Sequence, residues 1–153
     1  MVRVNSESHG ATWRLGERLG EIAGPGTFVA LGGDLGAGKT VFAKGVGAGL
    51  GVSTVVSSPT FVLVALHESG RLPLWHVDAY RLGDADEVEG LGLEQAHDGI
   101  VVMEWAVRFP DALPVDRLDV RLIDVVDEPG HRVVEIEARG ARHHALEEAL
   151  GDG

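Results

Sequence analysis

Gly33-Asp34-Leu35-Gly36-Ala37-Gly38-Lys39-Thr40 has the pattern G-x-x-x-x-G-K-T, and its residue types have defined work beside phosphate. The glycines let the backbone wrap so that successive N–H groups point at phosphate oxygens. The Lys39 ammonium reaches the β- and γ-phosphates, and the Thr40 hydroxyl can ligate Mg²⁺. Hydrolysis or transfer also needs acids near the metal ion and a group that orients the attacking oxygen. Such acids follow apolar strands beside the loop strand, and two fit. Glu104 ends the uninterrupted run Ile100–Met103, whereas Asp78 ends Leu74–Val77, a run broken by His76. The alternative for Glu104 is a strand-end acid solvated by water. Asp78 can equally cap the segment leading to Tyr80 and Arg81, and His76 reads as a hydrogen-bonded strand residue rather than a base.

Ser58-Pro59-Thr60 lies about twenty residues past Lys39. In nucleotide switches a Thr in such a segment senses the γ-phosphate or Mg²⁺; alone, the segment reads as an ordinary Ser-Pro turn. Trp105, directly after Glu104, either covers the nucleotide or is a half-buried aromatic. Guanine readers carry a second lysine in N-K-x-D or T-K-x-D. The only lysine besides Lys39 is Lys44, in Ala43-Lys44-Gly45-Val46, so that signature is missing and ATP is the default nucleotide.

The elements that must position these residues are legible as periods. Thr27–Leu31 is a short apolar run expected to be a buried strand leading into the loop, and Val41, Phe42, Ala43, Val46 and Leu50 have the spacing of a helix leading out of it, to about Gly51. Upstream, Val2–Val4 reads as a first strand. Ser6 or Ser8 caps a helix starting near Gly10, with Ala11, Leu15, Leu19 and Ile22 on its apolar face, and Gly24-Pro25-Gly26 stops it. Downstream, Phe61–Leu66 and Leu72–Asp78 read as strands joined by a turn over Glu68–Arg71. Asp84–His97 is a weak helix or two short ones broken by Gly90 and Gly92. Ile100–Glu104 reads as a central strand. Leu118–Leu122 and Val134–Ala138 alternate apolar and polar, as a closing antiparallel pair with one wet face, and Ala145–Leu150 is a terminal helical turn. The expected architecture is a three-layer α/β P-loop NTPase domain, its mixed sheet flanked by helices.

Bulk properties set limits. A chain of 153 residues, 44% hydrophobic, suits a single domain, assigned to residues 1–140 with a short tail over 141–153. Cysteine is absent, which excludes disulfides, thiol nucleophiles and Cys-based zinc sites. The seven histidines form no H-E-x-x-H pattern, and His143-His144 reads as part of a solvated tail. Arg14 and Arg18 read as a solvated helix face. A net charge of −11 argues against charge-driven binding to nucleic acid or anionic membrane. With no signal-peptide pattern and no apolar run of transmembrane length, the expectation is a soluble cytoplasmic protein.

Taken together, Leu31–Thr40, Ser58-Pro59-Thr60-Phe61, His76-Val77-Asp78-Ala79-Tyr80-Arg81 and Glu104-Trp105 closely resemble the TsaE (YjeE) family, in order and over most of the chain, from about Thr12 to Val134. The resemblance implies an ATPase of tRNA threonylcarbamoyladenosine biosynthesis. Its turnover would permit repeated cycles by TsaB–TsaD partners that modify the adenosine beside the anticodon, with tRNA met through that complex. By resemblance Gly36 to Val41 hold phosphates, within a nucleotide set of Gly33, Asp34, Leu35, Gly36, Ala37, Gly38, Lys39, Thr40 and Val41. Thr40 and Glu104 hold Mg²⁺, Asp78 serves hydrolysis or metal positioning, and Ser58, Pro59, Thr60 and Trp105 belong to switch segments. Residues near His9 and at Arg132 would lie against the adenosine. Val41 replaces the second Thr often found after Lys-Thr, and Val77 and Ala79 are smaller variants. Two other functions remain open at this point. A small-molecule kinase would need a second substrate pocket, for which Arg81 and Arg108 are available. A nucleotide-gated adaptor would not need the two acids.

Overall fold

The computed structural model describes residues 1–33, 38–53, 56, 64–80 and 82–151, with the side chain of residue 107 left aside. Among the described residues, seven strands form one mixed sheet: β1 (Val2–Ser6), β2 (Phe28–Gly33), β3 (Val64–His67), β4 (Leu74–Asp78), β5 (Ile100–Glu104), β6 (Arg117–Asp124) and β7 (Arg132–Arg139). Their spatial order is β1-β7-β6-β2-β5-β4-β3. The four central strands β6, β2, β5 and β4 are mutually parallel, and β7, β1 and β3 add antiparallel edges. The mixed sheet read from the hairpin-length turns is therefore present. β6 and β7 form the expected antiparallel pair, and β6 also pairs directly with the loop strand β2.

The helices are α1 (His9–Ile22), α2 (Lys39–Leu50), α3 (Ala85–Glu89) and α4 (His144–Gly151). Apolar side chains bury on both sheet faces. Leu19, Phe42, Val46, Val102 and Val120 belong to the cluster under α1 and α2, while Val77, Val88, Val101 and Met103 belong to the cluster on the other face. That second face is covered by α3 and short 3₁₀ turns, including Leu93–Asp98, which is the broken helix expected between Asp84 and His97. Among the described residues no helix is long and apolar enough to cross a membrane.

Helix α1 starts where Ser8 accepts a hydrogen bond from the Ala11 N–H at 3.0 Å, satisfying a donor that the first turn leaves without a helical partner. Ile22, expected on its apolar face, is 44% exposed. The face that is buried is instead Thr12, Leu15, Gly16, Leu19 and Gly20. The reason lies in the helix pairing. A Cβ on Gly16 or Gly20 would stand 2.2 Å from the carbonyl oxygens of Phe42 or Val46, and one on Gly45 or Gly49 would stand 2.0 Å from those of Trp13 or Glu17. Glycines four apart on each helix thus let the two backbones touch. The close approach clamps α2, and with it the exit of the phosphate loop.

The helical turn expected over Ala145–Leu150 is present within α4. Leu146 and Leu150, one helical turn apart, are buried with the cluster under α1, and α4 packs on β7, β1 and α1. His143 is fully buried, not solvated, because it serves the first strand residue of β2; His144 is exposed as expected. Arg14 and Arg18 are exposed, matching the solvated face read for them.

Candidate functional site

The loop strand β2 ends at Gly33, whose φ is +131° and whose missing Cβ would fall 2.1 Å from the Leu122 carbonyl oxygen of β6. Only glycine allows this close strand contact at that backbone angle. Asp34, Leu35, Gly36 and Ala37 lie outside the described residues, as do Ser58, Pro59, Thr60, Phe61 and Arg81. The chain is described again from Gly38, which has φ +96° and stands as N-cap of α2 with no side-chain cap. The positive dipole end of α2 therefore stands at Gly38 and Lys39, an arrangement suited to anions.

Lys39 opens α2 with its side chain turned inward, 5% exposed. Its Nζ donates to the Gly33 carbonyl at 3.3 Å and stands 4.2 Å over the Trp105 ring, a cation–π contact. Trp105 itself adopts the left-handed region at φ +63°, a conformation that costs a non-glycine residue roughly 1–2 kcal/mol. Its ring lies 5.1 Å from that of Tyr80, and Arg108 donates to the Tyr80 carbonyl. Trp105 is half-buried, and it covers the loop lysine as well.

Parallel pairing of β5 beside β2 sets Glu104 opposite Leu31, and pairing of β4 beside β5 sets Asp78 opposite Glu104. Both acids thus arrive at the strand ends nearest the loop. Glu104 is 3% exposed, which removes the reading of a water-solvated acid. Its Oε1 accepts from Thr40 Oγ1 at 3.2 Å, and its Oε2 faces His76 Nε2 at 2.6 Å. Asp78 is half-exposed, and its Oδ1 accepts from the Tyr80 N–H at 2.9 Å. That is the local turn the sequence allowed for it, and it fixes the carboxylate one strand away from Glu104. His67 on β3 adds to this polar row. Burial holds its imidazole below the ordinary value, and the neighbouring His76 pushes in the same direction.

Arg132 at the start of β7 is buried, with its Nε 3.0 Å from where a Gly38 Cβ would be. It donates to the Gly130 carbonyl at 2.9 Å and lies 3.5 Å from Asp124. It therefore flanks the loop exit. Ser6, just ahead of α1, pairs with Arg132 in register, so the chain leading to His9 reaches the same edge. His9 is exposed. Val41 is half-buried in the first turn of α2. Lys39, Thr40, Asp78, Glu104 and Trp105 are thus brought to one end of the sheet, with Gly33, Gly38 and Arg132 around them. What the residue pattern missed is the role of His76 as a direct partner of Glu104. The available signal was a single polar residue inside an otherwise apolar strand.

The family model for threonylcarbamoyl adenosine biosynthesis protein TsaE matches residues 6–133. The tRNA threonylcarbamoyladenosine biosynthesis protein TsaE of Bacillus subtilis is 41% identical over 131 residues, covering 84% of this chain and 80% of its own length. That of Streptomyces coelicolor is 42% identical over 130 residues, covering 82% and 88%. The crystal structure of YdiB from Bacillus subtilis superposes with a TM-score of 0.84 at 32% identity, over 99% of this chain and 97% of that one.

Proposed function

This chain belongs to the TsaE family and serves tRNA threonylcarbamoyladenosine biosynthesis, and on that premise we propose that it is an Mg²⁺-dependent cytoplasmic ATPase whose turnover lets a TsaB–TsaD transferase complex work through repeated cycles on tRNA. The observation that carries this reading is the 3.2 Å contact between Thr40 and the buried carboxylate of Glu104, beside Lys39 at the N-terminus of α2.

Two hard oxygen donors next to a phosphate cradle suit Mg²⁺, which keeps waters and phosphate oxygens in most of its coordination positions. Thr40 and Glu104 would hold it, and it would neutralise charge that develops on the phosphates. The remaining work falls to side chains. Lys39 leaves its contacts with Gly33 and Trp105 to meet the β- and γ-phosphates. The α2 N-terminus receives the phosphate charge. Asp78, fixed by the Tyr80 N–H, is the acid left to orient the attacking water. Trp105 stands over Lys39 with Tyr80 against its ring, so a partner complex that moves Trp105 would have a handle on turnover. Arg132 at the loop exit and the start of α1 near His9 bound the edge where the adenosine would lie. Hydrolysis by the isolated protein is expected to be slow, because switches of this kind need a partner to align the water.

The test is tRNA modification by purified TsaB–TsaD under multiple-turnover conditions with wild type, Lys39→Ala or Glu104→Ala. Wild type alone should carry the reaction beyond one round. Equal multiple turnover with either variant would overturn the function. A metabolite phosphorylated by wild type would indicate a kinase instead, and turnover that needs ATP binding but no hydrolysis would indicate an adaptor.

A further inference from the structure

We propose that His76 is a positioning residue: its Nε2–H holds Glu104 Oε2, so that Oε1 is presented to Thr40 and to the metal–phosphate group this site would take. The inference rests on the ATPase reading and deepens it. On the parallel pair β4–β5, His76 is opposite Val102 and Asp78 is opposite Glu104. His76 and Glu104 are therefore diagonal neighbours on one sheet face, within reach of long side chains. The contact is 2.6 Å between groups that are 1% and 4% exposed. A glutamate has three rotatable bonds, and Thr40 alone fixes only one carboxylate oxygen. With His76 on the other, both oxygens are assigned, one to the sheet and one to the loop.

The alternative, a histidine that serves the fold alone, fits the surroundings poorly. Leu74, Val77 and Val102 around it are fully buried, and the strand would read as a continuous apolar run with a hydrocarbon at position 76. Instead the other ring nitrogen, Nδ1, is buried with no hydrogen-bond partner among the described residues. A buried polar atom left so is not compensated for the water it loses. Because the carboxylate accepts, Nε2 is the donor in this contact. Among the described residues the ring's hydrogen bond goes to the buried Glu104 carboxylate, which places His76 to serve it. Groups that orient a metal-binding side chain in this way are typically worth ten- to a hundred-fold in metal affinity.

Two variants separate positioning from packing. In His76→Gln the side-chain amide can place a donor where Nε2 stands, while in His76→Asn the shorter side chain cannot. The full-length protein is titrated by calorimetry with a non-hydrolysable imido analogue of ATP, once with Mg²⁺ and once with EDTA. The ratio of the two dissociation constants measures the gain from Mg²⁺. His76→Asn should cut that gain about ten-fold or more with affinity in EDTA unchanged, and His76→Gln should restore it to within a few-fold of wild type. In a Glu104→Gln background, His76→Asn should change the gain no further. Retention of the full gain in His76→Asn, or equal weakening of both variants with and without Mg²⁺, would overturn the proposal. Wild-type protein that binds no analogue in either buffer would overturn the ATPase reading itself, a separate result.

Discussion

The molecule buries two histidines against carboxylates, and the two pairs are built differently. His143 is fully enclosed beneath the entry to β2. Its Nε2 accepts from the Phe28 N–H at 3.1 Å, and its Nδ1 donates to Asp116 Oδ1 at 2.5 Å. Every hydrogen-bonding position of that ring is used, and Asp116 is left partly in solvent, 40% exposed. His76, at the loop end of the sheet, uses one nitrogen only among the described residues, and its carboxylate partner is as buried as the ring. A ring that serves the fold completes its own hydrogen bonds. The ring at the candidate site has no partner for one nitrogen among the described residues and gives the other to an acid that is itself shared with Thr40. The contrast teaches that the His143 end secures where β2 begins, while the His76 end sets what the strand ends can do.

Four changes would break or sharpen this contrast. Glu104→Gln should show the largest effect, lowering partner-stimulated ATP hydrolysis by about 10²- to 10³-fold, read as phosphate release, with the melting temperature little changed. Loss of folding with no separate loss of hydrolysis per folded molecule would place Glu104 with the structural pair instead. His143→Ala should do the converse. It leaves the Phe28 N–H buried without an acceptor and opens a cavity, costing about 2–4 kcal/mol, which a thermal melt reads as a drop of several degrees or more. Nucleotide affinity of the folded fraction should hold.

The third change uses pH. The His143 hydrogen bond holds the Asp116 carboxyl below its ordinary value, and the Ala138 N–H, 2.8 Å from Glu147 Oε1, does the same for Glu147. Values depressed on folding mean that the unfolded chain binds protons first. The stabilisation is therefore complete above the unfolded values, near pH 4, and is lost as pH falls through the lower folded ones. Melting temperatures of wild type and Asp116→Asn should differ at neutral pH and draw together only as pH falls below about 4. Parallel curves would show that Asp116 does not contribute in this way. The smallest effect concerns Trp105→Gly. Relief of the left-handed backbone should offset part of the lost ring contacts and leave stability within about 1–2 kcal/mol of wild type. Removing the cation–π contact with Lys39 should then change the nucleotide on-rate more than the melting temperature, as stopped-flow binding would measure.

The parts legible in the sequence were those written in local periods. The loop string, the capped start of α1 and the bounds of β5 from Ile100 to Glu104 are carried by adjacent residues. The mixed sheet also followed from turn lengths. Long-range approach was harder to read. The glycines of α1 and α2 carry no signal in the helical period; only the facing backbone carbonyls show why a Cβ is excluded. Ile22 matched the helical period but fell beyond the contact face that the glycines define. His143 lay in a polar stretch, and nothing local announced the Phe28 N–H that it satisfies from 115 residues away. At the site, the acids and the lysine were identifiable from spacing. The His76–Glu104 bond depends on the parallel register of β4 with β5, which no motif encodes.

The central claim is that Lys39, Thr40 and Glu104 form a magnesium-dependent ATP site. Calorimetric titration of the full-length protein with ATP and with GTP, each in Mg²⁺, tests it most directly. The account predicts saturable binding of ATP, markedly weaker binding of GTP, and loss of ATP binding in Lys39→Ala protein that melts like wild type. Undiminished ATP binding by folded Lys39→Ala, or no binding by wild type, would contradict it.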